Sequence, residues 1–181
     1  TGASVDIDPH FVEFLSGLGD YARGHDLDLV LSPTEADDEE TTYRRVVANK
    51  QVDAVYVSSP RPNDRRIRLL EQLGLPYIVH GRSEGLGFDY PHMDIDNEGA
   101  FHEAGRLLTQ LGHRRVGLVN GEITQTFAIF RERGLKRALA ERARQREAEL
   151  IEAQRRQARL EREAGAFRHA MADVVPLPPS R

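Results

Sequence analysis

The chain has 181 residues, enough for one sizeable core or two small ones. Charged residues make up 30 %, but 25 Lys and Arg nearly balance 29 Asp and Glu, so there is no electrostatic footprint for nucleic acid. The absence of cysteine excludes disulfides and thiolate metal sites. No apolar run approaches membrane-spanning length and no signal-peptide pattern opens the chain; the expectation is a cytoplasmic protein with no membrane partner.

Residues 1–8 are polar and irregular, and the start at Thr1 without Met reads as a fragment or a processed chain. Pro9 can open a helix at its first position, with Asp8 as cap. Phe11, Phe14, Leu15, Leu18 and Ala22 then form an apolar face that ends at Gly24. LDLVLS (27–32) has the composition of a strand. A polar loop from Pro33 to Glu40 leads to a helix carrying Tyr43, Val46 and Val47. VDAVYVSS (52–59) is a second strand, broken by Pro60 and Pro62, and Ile67, Leu70 and Leu73 mark a third helix stopped by Gly74. PYIVHG (76–81) is the third strand. Strands alternating with helices predict a parallel sheet with right-handed crossovers, a three-layer α/β lobe over roughly Pro9–Ser83 and crossover segments near 88–97.

The stretch Asp94–Gly121 organises the rest. Asp96 or Asn97 can cap a helix, with Glu98 at its positive end. Ala100, Phe101, Ala104, Leu107, Leu108 and Leu111 follow at helical spacing, and Gly112 suits the left-handed residue that ends helices. VGLVNG (116–121) is short, apolar and β-branched, which predicts a buried strand. Thr126–Arg142 should be a helix beside it.

D-x-D-N-x-x-G-A, a helix and L-G-H-R-R-V-G-L-V-N-G together resemble the effector-binding domain of the LacI/GalR transcription regulators, and the order of elements agrees from about Asp8 to about Arg142. The resemblance implies the periplasmic-binding-protein-like type I fold, a ligand held between two α/β lobes, and a homodimer. In that family a strand precedes the Pro9 helix; TGASVDID does not read as one. The implied division is 1–96 as the N-terminal effector-binding lobe, 97–142 as crossover and partial second lobe, and 143–181 as a charged helical tail ending in prolines.

Ligands of open parallel sheets sit at the carboxyl ends of strands, which selects Ser58 and Ser59, the loop 80–83, and 120–122. The resemblance implies effector contacts for Phe11, Ser58, Arg82, Asp96, Phe127 and Arg131. Each has a plainer reading. Phe11 fits the apolar face of its own helix, Ser58 can simply end its strand, Arg82 can be a solvated loop residue, and Asp96 serves as cap and hinge. Arg131, three residues before Gly134 in TFAIFRERG, stands where the family places an arginine that donates to the effector. Its fork of donors suits paired sugar hydroxyls or a carboxylate; otherwise it is one surface arginine among many. Arg133 should point elsewhere.

No nucleophile elbow, phosphate loop or H-E-x-x-H occurs, and the histidines are scattered, so neither an enzyme nor a metal or other cofactor is expected. GRSEGLG (81–87) is better read as a crossover loop than as a dinucleotide fingerprint.

Residues 143–164 are rich in strong helix formers, but Leu150, Ile151 and Leu160 are too sparse for a globular core. They read either as a shortened or out-of-frame end or as a genuine helical tail. An extension of the preceding helix is expected, with self-association through it. The functional expectation is the ligand-sensing domain of a bacterial transcription regulator. Its small-molecule effector is a sugar of the α-glucoside type, and it meets DNA only through an N-terminal headpiece absent from this chain. The alternative is a periplasmic-type sugar-binding protein of a transport system.

Overall fold

The computed structural model describes residues 9–32 and 38–174. The Asp8 cap, most of the loop from Pro33 and the proline-rich end lie outside the described residues. The elements are α1 (Pro9–Arg23), α2 (Glu39–Ala48), β1 (Val55–Ser58), α3 (Arg65–Leu73), β2 (Tyr77–His80), β3 (His92–Met93), α4 (Asn97–Gln110) and α5 (Thr126–Ala170). The strands form an open sheet in the order β1-β2-β3, in which β2 and β3 run parallel with Val79 opposite His92.

The chain divides into two compact units, residues 1–57 with 65–78, and 58–64 with 79–181. In the first, Ala22, Val57, Ile67, Leu69 and Leu70 are buried. Arg66 reaches from α3 toward Glu39 at the start of α2, 3.7 Å away. LDLVLS is not a strand: no pairing among the described residues includes it, and Leu27, Leu29, Val30 and Leu31 are exposed. Its composition suits a strand, but a strand exists only where a second one accepts its backbone hydrogen bonds.

In the second unit the core is Val79, Leu86, Ala128, Phe130, Leu135 and Ala138, built largely where α4 meets α5. Two glycines set that contact. A methyl group at Gly134 would run into the carbonyl oxygen of Glu98, and one at Gly105 would lie 2.8 Å from Ala138 Cβ. Glycine inside a helix costs about 1 kcal/mol relative to alanine; here the close approach offsets it.

That approach also corrects which face of α4 is buried. Asn97, Gly105 and Thr109 are buried, with Phe101 and Leu108 half-buried, whereas Ala100, Ala104, Leu107 and Leu111 of the expected stripe are exposed. An apolar stripe is buried only where another element covers it, and α5 lies against the small-residue side instead. VGLVNG, the expected strand, likewise pairs with nothing among the described residues, and Val119 is fully exposed. Gly112 does take the left-handed conformation after α4, at φ 91°.

Helix α5 runs unbroken for 45 residues, in agreement with the propensity of 143–164. No residue beyond Ala138 in it is buried. Replacing Gly134 with alanine should lower the unfolding free energy by roughly 1–3 kcal/mol in urea denaturation. The same change at Gly165, which has open space around it, should cause no loss. Equal effects at both positions would mean that the helix contact does not depend on Gly134.

Candidate functional site

In the second unit the loops after β1 and β2 meet the first turns of α4 and α5. β1 ends at half-buried Ser58, and Ser59 follows at φ 51°. The backbone N–H and the hydroxyl of buried Thr126 both donate to the carbonyl of Pro60, each at 3.0 Å. The start of α5 is thereby tied to the loop after β1. Asn120 holds the same turn, its amide donating to the Ala128 carbonyl at 2.7 Å, while its buried Oδ1 has no hydrogen-bond partner among the described residues.

The loop after β2 is locked through Ser83. Its hydroxyl donates to Arg61 O at 2.7 Å and accepts from Asp64 N at 3.2 Å. Its N–H donates to the Tyr90 hydroxyl at 2.6 Å, which donates back to the Ser83 carbonyl at 3.0 Å. Burial pushes the Tyr90 phenol up from its ordinary value. This fixes the backbone on either side of Arg82.

Arg131 stands at the centre. Its Nε donates to Asn97 Oδ1 at 2.9 Å, and the guanidinium carbon lies 4.8 Å from the Phe127 ring centre and 5.4 Å from that of Phe101. Phe127 precedes Arg131 by one turn of α5, and Phe101 follows Asn97 by one turn of α4, so each pair shares a helix face. Asn97 is 4 % exposed; its Nδ2 donates to Ile95 O at 3.3 Å and to Asp94 Oδ1 at 3.5 Å. Asp94 also lies 3.8 Å from Arg82 Nε. One carboxylate therefore connects Arg82 and, through Asn97, Arg131. Both terminal amino groups of Arg131 remain without a hydrogen bond among the described residues.

Arg133 contrasts with it. It donates to both Glu84 oxygens, at 2.8 and 2.9 Å, and approaches Glu98 at 3.5 Å. The Arg133 hydrogen bonds hold Glu84 below the usual carboxylate range and push the Arg133 guanidinium up. Arg137 occupies the other oxygen of Glu98 at 2.7 Å. Arg82 and Arg133 each lie 5.2 Å from the ring centre of buried Phe130.

Of the residues singled out in the sequence, Phe127 and Arg131 are in contact, and Arg82 joins them through Asp94 and Asn97. Asp96 is occupied in capping α4, its Oδ1 accepting from Gly99 N at 2.8 Å. Phe11 belongs to the first unit, where its side chain is 45 % exposed. Sequence reasoning missed Asn97 as the orienting partner of Arg131, and Phe101 as its second ring. The signal available was the pair of one-turn spacings, Asn97 to Phe101 and Phe127 to Arg131. Among the described residues no three His, Asp or Glu side chains are grouped to hold a metal, and no helix is long and apolar enough to cross a membrane.

Over residues 4–167 the chain matches the family described as periplasmic binding proteins and sugar binding domain of LacI family. It is 52 % identical over 140 residues to the HTH-type transcriptional regulator AglR of Rhizobium meliloti (strain 1021), covering 77 % of this chain and 39 % of that protein. The HTH-type transcriptional regulator RafR of Escherichia coli is 30 % identical over 134 residues, covering 72 % and 39 %. The chain thus spans about two-fifths of the length of the curated relatives it matches. Among solved structures, the transcriptional regulator CelR–cellobiose complex aligns with a TM-score of 0.63 and 25 % identity over 74 % of this chain and 41 % of that one. A regulatory protein of LacI family from Chloroflexus aggregans has a TM-score of 0.67 at 23 % identity, over 78 % and 50 %, and shows the shared fold.

The Glu84–Arg133 pair has a pH signature. The depressed Glu84 carboxyl contributes stability that is present above the ordinary carboxylate range and lost as pH falls through its lowered pKa. Both side chains are nearly half exposed, so the contribution is at most about 1 kcal/mol. Glu84→Gln should be slightly less stable than the parent at pH 7. That difference should close on acidification, as measured by urea midpoints across the pH range.

Proposed function

This chain belongs to the family of periplasmic binding proteins and LacI-type sugar-binding domains. On that premise we propose that it is the ligand-sensing part of a bacterial transcription regulator, binding a small sugar and passing its occupancy to a DNA-binding headpiece elsewhere in the full-length protein. The observation that carries this reading is Arg131: oriented by a buried asparagine, flanked by two aromatic rings, and with its terminal donors unengaged. Such a fork can donate to two neighbouring hydroxyls of a pyranose while an aromatic face covers its C–H surface. The relatives are named as HTH-type regulators, which favours regulation over transport.

In this reading Arg131 and Phe127 contact the sugar. Arg82 lies at the rim with its charge balanced by Asp94. Ser58 contributes from the strand end. Asp96 acts by holding the first turn of α4, and with it Asn97, in place. The division at residues 96 and 142, a cytoplasmic location and the absence of catalysis belong to the same proposal. The sugar is of the α-glucoside class, as the likeness of H-G-R-S, D-I-D-N-E-G-A-F and T-F-A to regulators of such sugars implies; the CelR relative is itself known in complex with a disaccharide, cellobiose.

The test is calorimetry against mono- and disaccharides and, because some relatives are named as PurR repressors, purines. An α-glucoside should bind, and Arg131→Met should weaken it by roughly 10- to 100-fold, the loss of hydrogen bonds from a charged donor, with an unchanged circular dichroism spectrum. Purine binding without sugar binding would sink the proposal, as would a sugar affinity indifferent to Arg131→Met.

A further inference from the structure

Beyond Arg142, helix α5 carries a pattern that sugar binding does not use. Leu150, Gln157, Ala164 and Met171 recur every seven residues, and Ala153, Leu160 and Phe167 fall three places after the first three. They occupy the a and d positions of a heptad repeat, a stripe down one side of the helix. Arg146 at the preceding d position opens the stripe, so the seam runs for three heptads. Among the described residues nothing covers it: Leu150 is 59 % exposed, Leu160 48 % and Phe167 66 %. Four large apolar side chains aligned on one solvated face leave apolar area that a partner of the same shape would bury.

We propose that residues 143–171 pair with the same segment of a second copy of this chain as a parallel, in-register two-stranded coiled coil. Charge decides the occupant. Flanking the seam, Arg142, Glu149, Arg156 and Glu163 stand at g, and Glu147, Gln154, Glu161 and Arg168 at e. In a parallel pair each g residue meets the e residue five places later in the other copy. The meetings are Arg142 with Glu147, Glu149 with Gln154, Arg156 with Glu161, and Glu163 with Arg168 of the second copy. Three of the four are opposite in charge and none is alike.

Polarity decides the direction. An antiparallel register that sets Leu150 against Phe167 of the second copy also matches charges, pairing Arg156 with Glu163 and Glu147 with Arg168. It would, however, seat Gln157 against Leu160 of the second copy, where the amide keeps only the 2.9 Å hydrogen bond that its Nε2 donates to Glu161 of its own chain and its oxygen is desolvated without a partner. The parallel register sets Gln157 beside Gln157 of the second copy, amide to amide, the device by which one polar a residue specifies alignment. The small residues Ala153 and Ala164 allow the two backbones to approach closely.

This inference does not rest on the sugar-binding reading, and its test is separate. In sedimentation equilibrium from low to high micromolar concentration, the full chain should show a monomer–dimer equilibrium, and Leu160→Glu should abolish the dimer. Arg156→Glu should weaken it at least several-fold. Adding Glu161→Arg in the same chain should restore it, because the swap re-forms the parallel contact and not the antiparallel one. The chain has no cysteine, so Gln157→Cys reports one position: mild oxidation should give a disulfide-linked dimer on a non-reducing gel. A monomer at every concentration, or a dimer unmoved by Leu160→Glu, would overturn the proposal. A dimer that neither cross-links through Gln157→Cys nor recovers in the charge swap would overturn the parallel arrangement.

Discussion

The arrangement of the second unit depends on how closely α4 and α5 approach at Gly134. With no side chain there, the backbone of α5 comes against the carbonyl of Glu98 in the first turn of α4. Side chains on either side of Gly134 are then brought to groups at the start of α4. Arg131 reaches Asn97, and Arg133 and Arg137 reach Glu98. A larger residue at position 134 would separate the helices and lengthen all of these contacts together. The glycine thus acts on the site through its close approach to the backbone of Glu98 rather than through a side chain of its own.

Two arginines separated by one residue consequently take different roles. Residues two apart on a helix point to nearly opposite sides. Arg133 faces two carboxylates and is neutralised by them. Arg131 faces a neutral amide and two rings, which orient a guanidinium without consuming its charge or its terminal donors. Asp94 stands one residue further back, held from Arg131 by Asn97. Pairing Asp94 directly with Arg131 would occupy the donors that a hydroxylated ligand needs. The intervening amide fixes geometry while leaving them available.

Much of this was legible in the sequence, and the unread part has a common cause. α1, α2, α3, α4, α5, β1 and β2 lie where local periodicity, caps and glycine stops place them, because those signals act within one turn or one strand. Arg131 was singled out through the family resemblance, by its place before Gly134. The role of Asn97 was not legible, because it depends on a contact 34 residues away and a cap position offers a sufficient local reason for the residue. The buried face of α4 was misjudged for a related reason. Counting apolar residues selects Leu107 and Leu111, whereas the partner helix selects the face on which Gly105 permits contact.

The same distinction between local and distant partners separates three segments of similar promise. LDLVLS and VGLVNG have the composition of buried strands, yet neither forms a ladder among the described residues. The charged segment 143–170, with no buried residue, is a continuous helix. A helix satisfies its interior backbone groups four residues away along its own chain, so good propensity suffices to write it. A strand satisfies them only through a neighbour supplied by another part of the fold. Hydrophobicity states that a segment should be covered, not that the cover is at hand. The two apolar runs and the exposed stripe of α5 are therefore the same physical problem: apolar surface whose complement lies outside its own element. For α5 the complement is written into its own heptads, because charges that match between two copies of one helix can be read from one sequence.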